Sequence, residues 1–346
     1  MDAATFAESY ERVRAYLEAH PEIAISTFSL SVPEGLRGEF YGLVDDAQRA
    51  LCAEVLGDGR AKLEQGAERI AEVRADLLAR TGLERIELPA GVESFIFDPV
   101  MVAAKPLFGI VLEGLQRGKD ADALAAEGER EVPRQAGRIA RVAYELWVYF
   151  GIIRELKPVS LRAVVSHDTV AMEVVDTGTI TVGAQITSPE RRMPEAVFET
   201  EDGRAFAFKL EVANELDFYG VKITKRRDTS SGGNTAGVLS HRLLMLYEIA
   251  DMAQPPMLAD RDTLTVLPTT LTCEVLAPEE LSVESFAAQF FERCQTLRSK
   301  NRVQVATFSD EGGFPQGIVE RFADISFDRR VVGFDESAVR AMAELV

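Results

Sequence analysis

The chain has 346 residues, of which 47% are hydrophobic and 27% are charged, and its formal net charge is −18. A single hydrophobic core rarely grows beyond about 250–300 residues, so we expect two or three packed regions in a soluble protein. The negative charge disfavours long-range attraction to DNA, RNA or anionic membranes, so any anionic partner must be bound by a local basic patch.

The three cysteines, Cys52, Cys273 and Cys294, lie far apart and form no Cys-x-x-Cys pair. This spacing excludes the usual zinc and disulfide-exchange motifs, and it predicts free, mostly buried thiols in a reducing compartment. The first residues show no basic segment followed by an apolar run, so no secretory signal is expected and the cytoplasm is the predicted location. The nearly uncharged stretch 142–153 is shorter than the roughly 20 residues that a membrane-spanning helix needs.

The N-terminal part is predicted to be mainly helical. Apolar residues recur at helical spacing over Phe6–Leu17 and Leu63–Leu77, which predicts two amphipathic helices. A strand is expected over Ile23–Val32, and a further helix over about Arg37–Leu56. The apolar segment Phe95–Leu115 is interrupted by prolines and charges, which favours a broken, buried element.

The central part is predicted to contain a helix and then a sheet. Gly118–Gly137 is rich in Asp, Glu and Ala, which predicts an exposed helix and linker with a boundary near Pro133, and a core helix follows over about Ile139–Arg154. From Leu161 apolar residues recur at every second position, which predicts β-strands and a sheet built largely of hairpins. The expected strands are Leu161–Ser166, Thr169–Val175, Gly178–Thr187, Ala196–Thr200 and Arg204–Val212.

The C-terminal part begins after a predicted helix near Val238–Met252, which two prolines end. A helix with one apolar face is expected over Val283–Leu297, and strands are expected near Val303–Phe308 and Ile318–Phe327. Together the patterns predict an α+β (mixed α/β) protein. It has a helical N-terminal region (1–132), a central mainly antiparallel or mixed sheet flanked by helices (133–260) and a small C-terminal α+β part (261–346).

Several common catalytic motifs are absent from the sequence. There is no nucleotide-binding phosphate loop, no nucleophile elbow, no zinc-binding His-Glu-x-x-His helix and no dinucleotide-binding glycine turn. The three histidines, His20, His167 and His241, are more simply explained as helix-end, turn and surface residues than as metal ligands. The corresponding enzyme classes therefore lose support.

Glu145 is the only acid inside the apolar core helix. A carboxylate in such a setting must be paired, protonated or placed for function, because an unpaired buried charge is costly. An ion pair with Arg141, one turn earlier, or exposure on a narrow polar edge are the alternative explanations.

The segment Met193–Val212 is predicted to form two strands joined by a Glu-Asp-Gly turn. Side chains alternate along a strand, so the apolar residues of the second strand point one way while Lys209 and Glu211 share the other face. With Glu195 at the start of the preceding strand, these side chains could hold a divalent metal and orient a water. The alternative is a hairpin with a solvated outer face.

Over roughly Ile139–Met252 the chain resembles the PD-(D/E)XK nuclease superfamily. In that superfamily a helix carrying a glutamate precedes a Pro-Asp strand and an acid-x-Lys strand, and a helix follows. These places are taken here by Tyr144-Glu145-Leu146-Trp147, Pro194-Glu195 and Lys209-Leu210-Glu211, with the acid and the lysine of the last motif reversed.

The resemblance implies a metal-dependent hydrolysis of phosphodiesters. Glu195 and Glu211 would bind Mg²⁺ or Mn²⁺, Lys209 would position the attacking water, and Glu145 would support the ligands. The reversed motif also allows a degenerate site that binds nucleic acid or phosphate without cutting.

A second candidate site is the basic segment from Lys222 to Gly237. Five bases and one acid, Asp228, occur between Phe218 and Arg242. Glycines allow close approach of the backbone, hydroxyls can donate, and the N-terminus of the following helix would favour a phosphate. A surface loop whose bases pair with a neighbouring subunit is the alternative. The candidate ligands of the phosphate are Lys222, Lys225, Arg226, Arg227, Ser231, Gly232, Gly233, Asn234 and Thr235.

Three functions follow from these patterns. The first is a nuclease-like core, active or degenerate, that contacts nucleic acid. The second is a non-catalytic assembly protein, a homo-oligomer or a component of a complex, that uses its helical N-terminal part and the Val283–Leu297 helix. The third is a binder of a small phosphorylated ligand without a metal cofactor. No membrane partner is expected.

Overall fold

The computed structural model describes residues 5–26, 29–166, 171–182, 193–211, 226–227, 238–239, 242–260 and 265–346. The fold is α+β, as predicted. The chain divides into two compact units, one of residues 1–70 and 90–144 and the other of residues 71–89 and 145–346. This division differs from the three consecutive parts 1–132, 133–260 and 261–346 expected from the sequence.

The first unit is built of helices around one apolar core. Thr5 begins the first helix with a capping box, because its hydroxyl accepts from the Glu8 amide while the Glu8 carboxylate accepts from the Thr5 amide. Residues such as Tyr10, Phe40 and Phe95 are fully buried in the core. The elements are α1 (Phe6–Ala19), β1 (Ala24–Ser26), β2 (Ser29–Ser31), α2 (Arg37–Leu56), α4 (Ala90–Phe97), α5 (Pro99–Ala104) and α6 (Leu107–Arg117).

Helices α1 and α2 confirm the helices predicted over Phe6–Leu17 and about Arg37–Leu56. The short helices α4, α5 and α6 confirm the broken, buried element predicted over Phe95–Leu115. The strand expected over Ile23–Val32 is instead two short strands that pair with each other, with Ile25 opposite Leu30. Buried Cys52 lies in this unit, and its burial raises the pKa of its thiol to about 12. Cys52, Cys273 and Cys294 are all free and buried, as the sequence predicted.

Two long helices have residues in both units, α3 (Gly59–Thr81) and α7 (Ala121–Glu155). Helix α7 is 35 residues long and contains Pro133. The linker expected before residue 137 is therefore continuous helix, and the core helix expected from Ile139 begins at Ala121. Residues 142–153 of α7 are all buried. Among the described residues, no helix is both long and apolar enough to span a bilayer.

The second unit is organised around a sheet of eight strands. Their bounds are β4 (Pro158–Ser166), β5 (Met172–Val175), β7 (Ala196–Thr200), β8 (Ala205–Glu211), β11 (Arg242–Ile249), β14 (Leu271–Val275), β15 (Val303–Thr307) and β16 (Phe327–Val331). Four helices follow β14, namely α8 (Pro278–Ser282), α9 (Glu284–Leu297), α10 (Gln316–Arg321) and α11 (Glu336–Ala343). The strand order is β16-β15-β14-β11-β8-β7-β4-β5.

The sheet has an antiparallel and a parallel part. From β5 to β14 each strand runs antiparallel to its neighbour, whereas β14, β15 and β16 are parallel. Parallel neighbours require crossover connections, which α8 and α9 provide before β15 and α10 provides before β16. Smaller ladders join β3 (Arg85–Glu87) to β6 (Thr179–Thr181), β9 (Arg226–Arg227) to β10 (Val238–Leu239) and β12 (Ala259–Asp260) to β13 (Thr265–Val266).

Two sequence predictions in this unit are wrong. The helix expected over Val238–Met252 is strand at 238–239 and 242–249, because β11 is a central strand buried on both faces. Such a strand has a continuous apolar run instead of an alternating one. The strand expected over Ile318–Phe327 contains most of α10, and β16 begins only at Phe327.

The predicted apolar helix α9 is confirmed, but its apolar face is only partly covered. Phe290, Cys294 and Leu297 are buried. At the start of the helix, Val283 is 43% exposed and Phe286 is 36% exposed.

Candidate functional site

Glu195 and Lys209 lie side by side in the sheet, as the predicted hairpin requires. Ala196 of β7 is opposite Phe208 of β8, so the preceding Glu195 lies beside Lys209. The two side chains are only 6% and 1% exposed, so this face of the hairpin is buried and not solvated. The Lys209 ammonium donates to the Met193 carbonyl at 3.0 Å, and the Glu195 carboxylate accepts from the Leu210 amide at 3.3 Å. Both groups therefore already make hydrogen bonds to the backbone of the same hairpin.

Glu211, the other predicted metal ligand, is the last residue of β8. Its backbone pairs with Arg242. Its side chain lies outside the described residues. In the part of the chain that the structure describes, no three His, Cys, Asp or Glu side chains form a group that could hold a metal ion.

Lys209 lies on the face of the sheet that α9 covers. The register places Met245 of β11 opposite both Lys209 and Thr272, so these three share a face with Glu274, two residues after Thr272. Arg293 of α9 pairs with the Glu274 carboxylate, with one hydrogen bond of 3.3 Å from Nε to Oε2.

Glu145 lies on the other face. It is fully buried in α7, one turn before Tyr149, whose hydroxyl accepts from the Val275 amide at 3.3 Å. Burial first, and then Glu145 and the nearby Cys273, raise the pKa of Tyr149 well above 10. Cys273 points to the face opposite Glu274. The sheet therefore separates Glu145 from Glu195 and Lys209, so the structure does not unite the four predicted catalytic residues.

The helix that follows the acid-x-Lys strand in the nuclease resemblance was expected over Val238–Met252. At 238–239 and 242–249 these residues are instead the strands β10 and β11.

The basic segment is described only at Arg226–Arg227 and Val238–Leu239, which pair as β9 and β10. The helix whose N-terminus was expected to attract a phosphate is therefore absent at 238–239. Of the other predicted phosphate ligands, all lie outside the described residues, namely Lys222, Lys225, Ser231, Gly232, Gly233, Asn234 and Thr235.

A cleft of about 600 Å³ opens at the amino ends of β15 and β16. The end of α9 and the two segments that lead into these strands form its walls. Its lining is Cys294, Gln295, Arg298, Ser299, Lys300, Asn301, Arg302, Val303, Asp324, Ile325 and Ser326. We name this set the basic cleft, because it has three cations and one acid.

The backbone of the basic cleft is fixed by hydrogen bonds. The Lys300 amide donates to the Thr269 carbonyl at 2.8 Å, and the Val303 amide donates to the Ser326 carbonyl at 3.1 Å. The Asn301 amide group donates to the carbonyls of Thr270 and Leu345 at 2.9 and 2.8 Å. The segment is thus rigidly attached to β14 and β16 while the long side chains project from it.

The charges of the basic cleft are not balanced locally. Arg302 pairs with Asp328 at 2.8 Å, but among the described residues neither Arg298 nor Lys300 has an acidic partner within ion-pair distance. Within the same described part, the buried hydroxyl of Ser299 has no hydrogen-bond partner. Two cations are therefore available to a ligand.

Sequence reasoning missed both the basic cleft and the buried Arg293–Glu274 pair. The signal for the cleft was present as the run Arg298-Ser299-Lys300-Asn301-Arg302, a local basic excess of the kind that identified residues 222–237. The pair had no such signal, because its members are ordinary residues of a helix and a strand that only the fold brings together.

The chain matches no known family model, no curated protein and no solved structure.

Proposed function

We propose that this protein binds a small phosphorylated ligand, and that the basic cleft receives the phosphate. The observation that carries this proposal is the pair Arg298 and Lys300, two cations without an acidic partner among the described residues of a chain whose net charge is −18. In so acidic a protein, exposed cations have many acids to pair with, so two that stay available at one cleft support a ligand of opposite charge.

The chemistry of the cleft suits a phosphate monoester. A guanidinium can donate two parallel hydrogen bonds to phosphate oxygens, and an ammonium adds a compact positive charge. The hydroxyl of Ser326 and the amide of Gln295 supply neutral polar groups for the rest of the ligand.

Size and charge favour a small ligand over nucleic acid. A volume near 600 Å³ lies within the range of about 300–1,000 Å³ that is usual for small-molecule sites. A polynucleotide would extend beyond the cleft over a surface with a large excess of acids, whereas a nucleotide or sugar phosphate places its charge only beside Arg298 and Lys300.

Calorimetry with inorganic phosphate, a nucleoside monophosphate and a sugar phosphate tests this proposal. We expect binding that weakens as salt is raised, and a Kd raised at least about tenfold for Arg298→Ala or Lys300→Ala, because each removes a charge-assisted contact worth about 1.5–3 kcal/mol. The control is Lys105→Ala, which removes an exposed lysine outside the cleft.

Two outcomes would contradict the proposal. One is an absence of binding to all three compounds at low salt. The other is binding that Lys300→Ala and Lys105→Ala weaken equally, because the attraction would then reflect charge in general. Tighter binding of a single-stranded oligonucleotide than of any monoester would assign the cleft to nucleic acid instead.

A second candidate function is metal-dependent phosphodiester hydrolysis with Mg²⁺ or Mn²⁺. It is favoured by the juxtaposition of Glu195 and Lys209 on neighbouring strands. A buried carboxylate and lysine are residue types that this chemistry uses, and the basic segment Lys222–Gly237 follows them in the sequence.

Incubation of the protein with DNA or RNA and either metal tests the second candidate. We expect cleavage that Glu195→Gln abolishes and that Glu199→Gln, on an exposed position of the same strand, leaves unchanged. An absence of cleavage with both metals would reject catalysis.

A further inference from the structure

Strand β16 is the outermost strand at one end of the eight-stranded sheet, among the strands that the structure describes. It is paired in parallel with β15 on one side only. An outermost strand presents one row of backbone N–H and C=O groups that can pair with another strand. The question is which strand fits this row.

The hydrogen bonds to β15 show which residues face outward. The Val303 amide donates to the Ser326 carbonyl at 3.1 Å, and the Val332 amide donates to the Thr307 carbonyl at 2.8 Å. In a parallel ladder alternate residues bond to the same neighbour, so Asp328 and Arg330 also turn their backbone groups towards β15. Phe327, Arg329 and Val331 therefore turn theirs outward.

The sequence of β16 is complementary to itself in the antiparallel direction. When a second copy pairs with it about a two-fold axis at Arg329, Asp328 lies opposite Arg330 and Phe327 lies opposite Val331. The outward-facing residues then form the hydrogen-bonded pairs. The two oppositely charged pairs take the closer, non-hydrogen-bonded positions, where side chains interact most strongly.

The axis itself would bring two copies of Arg329 together, but this arginine is already engaged. Its guanidinium donates to the carbonyls of Gly312 at 2.5 Å and Glu311 at 2.7 Å, in the loop after β15. The positive charge is therefore drawn towards that loop. An exposed apolar side chain remains on this edge, because Val331 is 50% exposed.

We propose that two copies of this chain associate through β16, antiparallel and centred on Arg329, to form one continuous sheet. Charged residues on an outermost strand ordinarily deter pairing with unrelated strands. Here the same charges favour a second copy, because the antiparallel register about Arg329 places each Asp328, already paired with Arg302 of its own chain, opposite an Arg330 as well.

Light scattering and sedimentation measure this association. We expect a dimer in the wild type, and a dimer Kd raised about tenfold or more in Asp328→Arg and in Arg330→Glu, because each variant places like charges opposite each other twice. Lys105→Glu, a charge reversal at an exposed position in the other unit, is the control.

The decisive measurement mixes the two variants. In a mixed dimer the arginine introduced into one chain lies opposite the glutamate introduced into the other, and the unchanged Arg330 of the first chain lies opposite the unchanged Asp328 of the second. Both pairs are then oppositely charged, so we expect the mixture to recover dimer that neither variant forms alone. Recovery also shows that both variants fold. A monomeric wild type, dimers unaffected by either reversal, or a mixture without recovery would each overturn the proposal.

Discussion

The buried sheet face that α9 covers and the basic cleft carry charged residues in opposite states. In β8 and β14, Lys209 and Glu274 are each about 1% exposed and make hydrogen bonds inside the protein. At the amino ends of β15 and β16, Arg298 and Lys300 are exposed and have no ion pair with any described residue. The contrast teaches that a charged side chain marks a binding site only when its charge is still available, which depends on burial and existing partners.

The largest expected effect is a loss of stability at the buried sheet face. Arg293→Ala should lower the free energy of unfolding by about 3–5 kcal/mol, because it leaves the Glu274 carboxylate as an uncompensated charge in the interior. Urea denaturation measures this difference. Arg298→Ala, one turn further along at the end of the same helix, should change it by less than about 0.5 kcal/mol. Equal losses of stability in the two variants would remove the distinction between the buried sheet face and the basic cleft.

A smaller loss is expected from Lys209→Met, which keeps the apolar stem of the side chain and removes its ammonium. The buried Met193 carbonyl loses a donor, so unfolding should become easier by about 1–3 kcal/mol, whereas Lys300→Met should be nearly neutral. Denaturation of both variants tests this. A fully stable Lys209→Met variant that has lost metal-dependent cleavage would show that the buried sheet face around Lys209 is catalytic.

Asp328→Asn is expected to raise the phosphate affinity of the basic cleft modestly. Asp328 pairs with Arg302 at 2.8 Å, so its removal makes the cleft more positive and should tighten phosphate binding by about threefold, or roughly 0.6 kcal/mol. Calorimetry with inorganic phosphate measures the change. Weaker binding in this variant would mean that Arg302 needs Asp328 to hold its position.

The smallest effect concerns the pH dependence of stability. Hydrogen bonding to Arg302, followed by Gln304, lowers the pKa of Asp328 below its usual 3.8. A lowered pKa stabilises the fold above the pKa of the unfolded chain, and this contribution disappears as pH falls through the folded value. The stability difference between wild type and Asp328→Asn should therefore shrink on acidification. A difference that is constant with pH would exclude the linkage.

The sequence predicted those elements whose pattern is set locally. Helices α1 and α2 alternate buried and exposed residues at helical spacing and are separated by Pro33 and Gly35, so their bounds were clear. Strand β11 could not be predicted, because burial on both faces removes the alternation that distinguishes a strand from a buried helix.

Prediction of the sites was limited for a different reason. The adjacency of Glu195 and Lys209 followed from a hairpin, which is a local structure, and it was predicted. Their burial, and the separation of Glu145 on the other face, depend on α7 and α9, which pack on the sheet from distant parts of the chain. The basic cleft likewise needs Ser326 and the end of α9 beside the run Arg298–Arg302.

Arg329 and the loop after β15 should diverge at different rates during evolution. The arginine contacts main-chain carbonyls of residues 311 and 312, so side chains at positions 309–311 can change without loss of these bonds. A lysine cannot reproduce the planar fork that reaches two carbonyls, so position 329 should tolerate few substitutions. Gly312 should be equally constrained, because its φ is +72° and an added Cβ would lie 2.8 Å from the Pro278 carbonyl oxygen.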